Sequence, residues 1–221
     1  MTEDTRDEEG PTEEKLSAAA YALRSGRVVA IPTDTVYGLA VDPRCVGATN
    51  ALFVLKERPH SLTLPVLVAD YESARALSGP SGFGRVATRI ARKLWPGAVT
   101  LVVERAPGLG WDLGDDDSSI GLRCPDHTFA RELCRRVGAL ATTSANRHGR
   151  APLTTAEQVH REFGDTAMVV NGGELSGHSS TVVDVRGRDP VCLRRGAVSW
   201  EEILAAADGD DSSRIDRDDS M

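Results

Sequence analysis

Between residues 13 and 25 the apolar side chains Leu16, Ala19, Ala20 and Leu23 fall three and four apart, and Gly26 follows. That spacing predicts an amphipathic helix with a glycine stop. The pattern then changes to a continuous apolar run, Val28-Val29-Ala30-Ile31, closed by Pro32, as expected of a strand buried on both faces. The same reading predicts strands over 65–68, 99–104, 119–123, 140–143, 168–170, 181–185 and 191–193, and helices over 47–56, 83–94, 126–137, 155–163 and 201–207. Asp126 is the expected N-cap of its helix, and Ser199 with Glu202 has the form of a capping box. Trp95-Pro96-Gly97 forces a turn. Strands and helices alternate irregularly, which implies an α/β domain with a twisted, open mixed sheet and flanking helices.

Charge refines the boundaries. The chain of 221 residues has a net charge of −7, but residues 1–14 and 208–221 hold 13 of its 33 acids and only 3 of its 26 bases. Without them the body is about +3, which suits an anionic ligand and equally a solvated arginine-rich surface. We therefore expect acidic, disordered tails at 1–14 and 208–221 around one domain at 15–207. No apolar run approaches the roughly 20 residues of a membrane span. The acidic N-terminus lacks a signal-peptide core, so a cytoplasmic address is expected. Cys45, Cys124, Cys134 and Cys192 form no CxxC pair and share no zinc-like spacing with histidine. Buried free thiols, with no protein-bound metal, are the expectation.

Candidate chemistry sits at the ends of the predicted strands, where open α/β sheets hold ligands. There is no GxxxxGK(S/T) loop, GxGxxG turn, HExxH helix or GxSxG elbow. Instead, Thr33, Asp34, Thr35 and Tyr37 follow the first strand, and Lys56 and Arg58 flank one residue at a helix end. Ser119 and Arg123 bound a strand, Thr142, Ser144 and Asn146 close another, and His178, Ser180 and Arg194 lie farther on. Hydroxyls of this kind either line a pocket or cap turns. Lys56 and Arg58 either clamp phosphate or complement a helix dipole. An arginine closing an apolar strand needs a counter-ion if it is buried. The residues alone leave these alternatives open.

In order and interval these clusters resemble the YrdC/YciO family. Its pattern runs from Pro-Thr-(Glu/Asp)-Thr-Val-Tyr-Gly-Leu through KxR, WPGxxT, SAN and STVVD to LRxG. Here it is carried by Pro32–Leu39, Lys56–Arg58, Trp95–Thr100, Ser144–Asn146, Ser180–Asp184 and Leu193–Gly196. The resemblance implies a sheet curled around a large, positively lined cavity. It also implies an L-threonylcarbamoyladenylate synthase of the short, single-domain form, which joins L-threonine, bicarbonate and magnesium-bound ATP. The product supplies a separate tRNA threonylcarbamoyltransferase. By position, Thr35, Arg123, Thr142 and Ser180 should contact threonine, and Lys56, Arg58, Ser119, Ser144, Asn146 and Arg194 the ATP side, with Lys56 and Arg58 catalytic. Pro152 replaces a serine common in the family, and residues 60–69 depart from its usual spacing. Two other family roles stay open: a paralogue that binds double-stranded RNA or tRNA without synthase activity, and a carbamoyltransferase module.

Overall fold

The computed structural model describes residues 12–147 and 149–208. In chain order the elements are α1 (Glu13–Arg24), β1 (Val28–Ile31), β2 (Gly38–Val41), α2 (Ala48–Lys56), β3 (Val66–Leu67), α3 (Tyr71–Ala76), α4 (Arg85–Leu94), β4 (Val99–Glu104) and β5 (Ser119–Arg123). They continue with α5 (Thr128–Val137), β6 (Leu140–Ser144), α6 (Ala156–Phe163), β7 (Ala167–Val169), β8 (Thr181–Asp184), β9 (Val191–Arg194) and α7 (Trp200–Ala207). The strands form one mixed sheet in the order β7-β1-β2-β6-β3-β5-β4-β8-β9. Pairs β1/β7, β3/β5 and β4/β8 are parallel and the remainder antiparallel.

The apolar alternation explains why both faces of the sheet are covered. On β1, Val28 and Ala30 join one core while Val29 and Ile31 join the other, as a period of two requires. One face packs Leu16 and Leu23 of α1 against Phe129 and Leu133 of α5. The opposite face packs α2, α4, α6 and α7 through Phe53, Ile90, Phe163 and Ile203. Side chains of this size, fully buried, contribute roughly 1.5–3 kcal/mol each.

Local chemistry sets the helix ends. Reciprocal capping boxes start α6 (Thr155 with Gln158) and α7 (Ser199 with Glu202). Asp126 does not cap α5: His127 holds that position without a side-chain bond, and Asp126 pairs with Arg131 at 2.9 Å. Thr12 caps α1, and Glu13 and Glu14 form its first turn, so the folded body begins a little before the charge boundary at residue 14. Glu13 also grips Arg136 of α5 through two hydrogen bonds. The rest of both acidic segments lies outside the described residues.

All four cysteines are free. Burial pushes the thiols of Cys124 and Cys134 up, which keeps both protonated and inert. Among the described residues no helix is long and apolar enough to cross a membrane.

Candidate functional site

The β1–β2 turn is held from within. Thr33 Oγ1 accepts the backbone N–H groups of Thr35 and Val36, donates to Val36 O at 2.8 Å, and lies 2.9 Å from Thr35 Oγ1. Antiparallel pairing sets Gly38 of β2 opposite Ser144 of β6. Leu101 of β4 lies opposite Leu122 of β5, so the start of β4 lies at the Arg123 end of β5. Parallel pairing then brings β8 alongside, with Val99 beside Thr181. The register of the sheet therefore gathers sequence-distant polar residues at one rim.

They surround a cleft with a cavity volume of about 100 Å³, open to solvent on one side. Seven of the ten anticipated residues line it: Thr35, Arg58, Arg123, Thr142, Ser144, Ser180 and Arg194. Lys56 and Asn146 stand behind the wall at Ser144. Ser119 stands apart: it begins β5 at the end opposite Arg123, and its hydroxyl donates to Asp116 at 2.5 Å. Four residue steps along a strand, about 13 Å, account for the separation. Tyr37, another candidate, is fully buried; its hydroxyl donates to Gly173 O and accepts from Gly172 N.

Arg123 is the most constrained cation. Its Nε donates to Gly97 O at 3.0 Å, one terminal nitrogen to Thr35 Oγ1 at 3.0 Å, and the other to Asp34 Oδ1 at 2.6 Å. Three of five N–H donors are thus engaged and two have no protein partner among the described residues. Arg58 donates to the carbonyls of Leu62 and Thr63, and Arg194 to Ser180 O and Oγ; both also keep donors in reserve. Ser180 Oγ lies 2.9 Å from Thr100 Oγ1. The Gly196 turn packs so closely on Ser179 and Ser180 that a β-carbon would collide with their backbone.

Burial works against the charged forms of Arg58, Arg123 and Arg194; repulsion adds to it at Arg58 and Arg194, whereas Asp34 supports the charge on Arg123. Arg194 lowers the proton affinity of Arg58, and Arg123 that of Arg194. Lys56 is pushed down to about 7, first by burial and then by Arg58 and Arg194. Asp34 is the one carboxylate bonded to these guanidiniums among the described residues. Such a cluster holds uncompensated positive charge that an anionic ligand relieves.

Thr33, a candidate after the first strand, also lines the cleft, as do Thr100 and Ser179, which had not been named as ligands. Each lies inside or next to a recognised motif, which was the available signal. Among the described residues, no group of three or more His, Cys, Asp or Glu is placed to hold a metal ion.

Residues 21–196 match the Sua5_yciO_yrdC family model, described as telomere recombination. The chain belongs to the Sua5/YciO/YrdC family. Within it, a Mycobacterium tuberculosis relative is 40% identical over 192 residues, covering 85% of this chain and 87% of that one. The Homo sapiens threonylcarbamoyl-AMP synthase is 39% identical over 184 residues, covering 78% and 63%. The structure of P. abyssi Sua5 complexed with L-threonine superposes with a TM-score of 0.83 at 32% identity, covering 88% and 58%. The chain therefore spans most of the mycobacterial relative and less than two thirds of the other two.

Proposed function

We propose that the protein is a threonylcarbamoyl-AMP synthase, making the activated donor for modification of a tRNA adenosine. The observation that carries this reading is the convergence of Arg58, Arg123 and Arg194 on one cleft floored by small hydroxyls. A cationic site without a nucleophile–base pair suits a reaction that needs two anionic reactants held in line.

In this reading the two free donors of Arg123 take the threonine carboxylate, and a planar fork fits that group better than a point charge does. Thr35, Thr142 and Ser180 surround the rest of the amino acid. Bicarbonate adds to the threonine amine with loss of water, giving a carbamate. A carbamate oxygen then forms the new bond to the α-phosphorus of ATP, and the bond to the bridging oxygen breaks. Pyrophosphate leaves with that electron pair. Arg58 and Arg194 offset the charge building on the leaving group. With no carboxylate cluster at the cleft among the described residues, the residues fit magnesium that arrives on ATP and screens its phosphates. We place the enzyme in the cytoplasm, passing its product to a tRNA threonylcarbamoyltransferase.

The test is pyrophosphate release from ATP, magnesium and bicarbonate, with and without L-threonine. Release that depends on threonine and is poorly supported by valine is expected. No release from folded protein that instead retains double-stranded RNA at low salt would replace the synthase with an RNA-binding role, whose affinity falls steeply with ionic strength.

A further inference from the structure

Lys56 and Arg58 are separated by one residue but serve different environments. Lys56 is the last residue of α2, and Glu57 after it adopts a left-handed conformation with φ of 52°. That turn lets the next side chain leave the helix axis. Arg58 lines the cleft, whereas Lys56 is 2% exposed and is not among the lining residues.

The surroundings of the ammonium are closed. Lys56 Nζ lies 2.7 Å from Ser144 O, 3.1 Å from Ser144 Oγ, 3.0 Å from Asn146 O and 2.9 Å from Asn146 Oδ1. Three N–H donors facing four oxygens leave none for a ligand. Asn146 is equally committed, since its Oδ1 also accepts from Ser144 Oγ at 2.5 Å. Its Nδ2 donates to Arg147 O at 2.8 Å and Arg150 O at 2.6 Å. Asn146 is 6% exposed and absent from the cleft lining. The three residues form one knot joining the end of α2 to the turn after β6, with Ser144 alone showing at the cleft. By contrast, Arg58 and Arg194 each keep N–H groups without a partner among the described residues.

We propose that Lys56 is a positioning residue: its side-chain nitrogen is the post to which the Ser144–Asn146 turn is fastened, and nucleotide phosphates meet Arg58, Arg194 and that turn without touching Lys56. The identity of the ligand rests on the synthase reading; the knot itself does not. A direct phosphate ligand and a buried post differ in what their removal does. Loss of a ligand weakens binding more as phosphates are added, because each phosphate meets the missing charge. Loss of a post loosens the turn and weakens every ligand that uses it by a similar factor.

The experiment compares Lys56→Met with Arg58→Met in the full chain. Titrations use adenosine, AMP and a non-hydrolysable ATP analogue, with L-threonine as control, and hydrogen exchange is followed over residues 144–150. For Lys56→Met we expect about tenfold weaker binding of all three adenine ligands, the scale of leaving buried acceptors unpaired. L-Threonine affinity should be unchanged and exchange at 144–150 faster. Lys56→Arg should not rescue, because a planar guanidinium does not fit the closed nest of oxygens. Arg58→Met should lose the ATP analogue far more than adenosine and leave exchange unaltered. Unchanged exchange in Lys56→Met, with a loss that grows from adenosine to the ATP analogue, overturns the proposal. Should Lys56→Met not fold, Lys56→Gln, which still reaches part of the nest, carries the same comparison. If wild-type protein binds none of the adenine ligands, the synthase reading falls, and the exchange data alone then decide whether Lys56 is a post.

Discussion

The two sides of the cleft are built differently. The side centred on Arg123 is assembled across the sheet: its guanidinium is anchored by Gly97, Thr35 and Asp34, from two separate parts of the chain, and its neighbour Ser180 is tied to Thr100. The side centred on Arg58 is local: among the described residues that guanidinium reaches only carbonyls four and five residues ahead, Leu62 and Thr63. Strand ends linked across the sheet resist displacement, while a loop bonded to itself moves as a unit. We read the first as a preorganised grip on a small, rigid carboxylate and the second as an adjustable contact for a longer polyphosphate.

The largest effect should come from breaking the anchored side. Arg123→Met removes the carboxylate fork and strands the half-buried Asp34. The stability loss should be less than the roughly 3–5 kcal/mol of breaking a fully buried pair, and threonine-dependent pyrophosphate release should fall by at least about 100-fold for loss of a charge stabiliser. The double variant Arg123→Met/Asp34→Asn separates the two consequences. Chemical unfolding should recover much of the stability, because no unpaired charge remains, while activity stays at the level of the single variant. Recovery of activity would show that Arg123 matters only through Asp34.

Much of this architecture was legible because burial leaves a periodic trace. β1 and β5 fall where the apolar runs place them, and Ser199 with Glu202 starts α7 as the capping pattern requires. β2 escaped because Gly38–Val41 is a short run directly behind a turn-forming segment, and α3 because Tyr71–Ala76 carries only one buried residue, Ala74. In the site, Arg123 and Ser180 could be picked out by position in a motif, but their partners could not. Thr100 meets Ser180 from 80 residues away, a consequence of sheet register that no local pattern encodes. Nor does KxR spacing reveal that its two cations part company. That depends on the backbone angle at Glu57.

Glu57 accordingly tests the local side with a smaller effect. A non-glycine residue in the left-handed region is strained by roughly 1–2 kcal/mol. Glu57→Gly should be neutral or slightly stabilising, whereas Glu57→Val, branched at the β-carbon, should destabilise by about 1–2 kcal/mol. Its ion pair with Arg147, at 2.9 Å with both partners exposed, is worth under about 1 kcal/mol, so Glu57→Gln should change little. Thermal unfolding ranks the three. ATP-analogue affinity should follow that ranking and L-threonine affinity should not; equal losses for both ligands would mean that the two sides are one mechanical unit.

The smallest and most diagnostic effect is a proton count. Burial first, then Arg58 and Arg194, push Lys56 down to about 7, although the four oxygens around it favour the ammonium. Its free-chain value is 10.5, so between pH 7 and 10.5 the unfolded chain holds a proton that the native state has released. Across that window the Lys56 contribution makes stability rise with pH, and below pH 7 it adds no slope. Polyphosphate beside Arg58 and Arg194 offsets their repulsion and raises Lys56 again. Binding of the ATP analogue at pH 8 should therefore take up a proton, approaching about one per site if the bound value lies well above 8. Calorimetry in buffers of different ionisation enthalpy measures this directly, and the uptake should vanish in Lys56→Met but survive in Glu57→Gln. No uptake in the wild type would mean that the oxygen nest already holds the ammonium charged, leaving the local side set in advance as firmly as the anchored one.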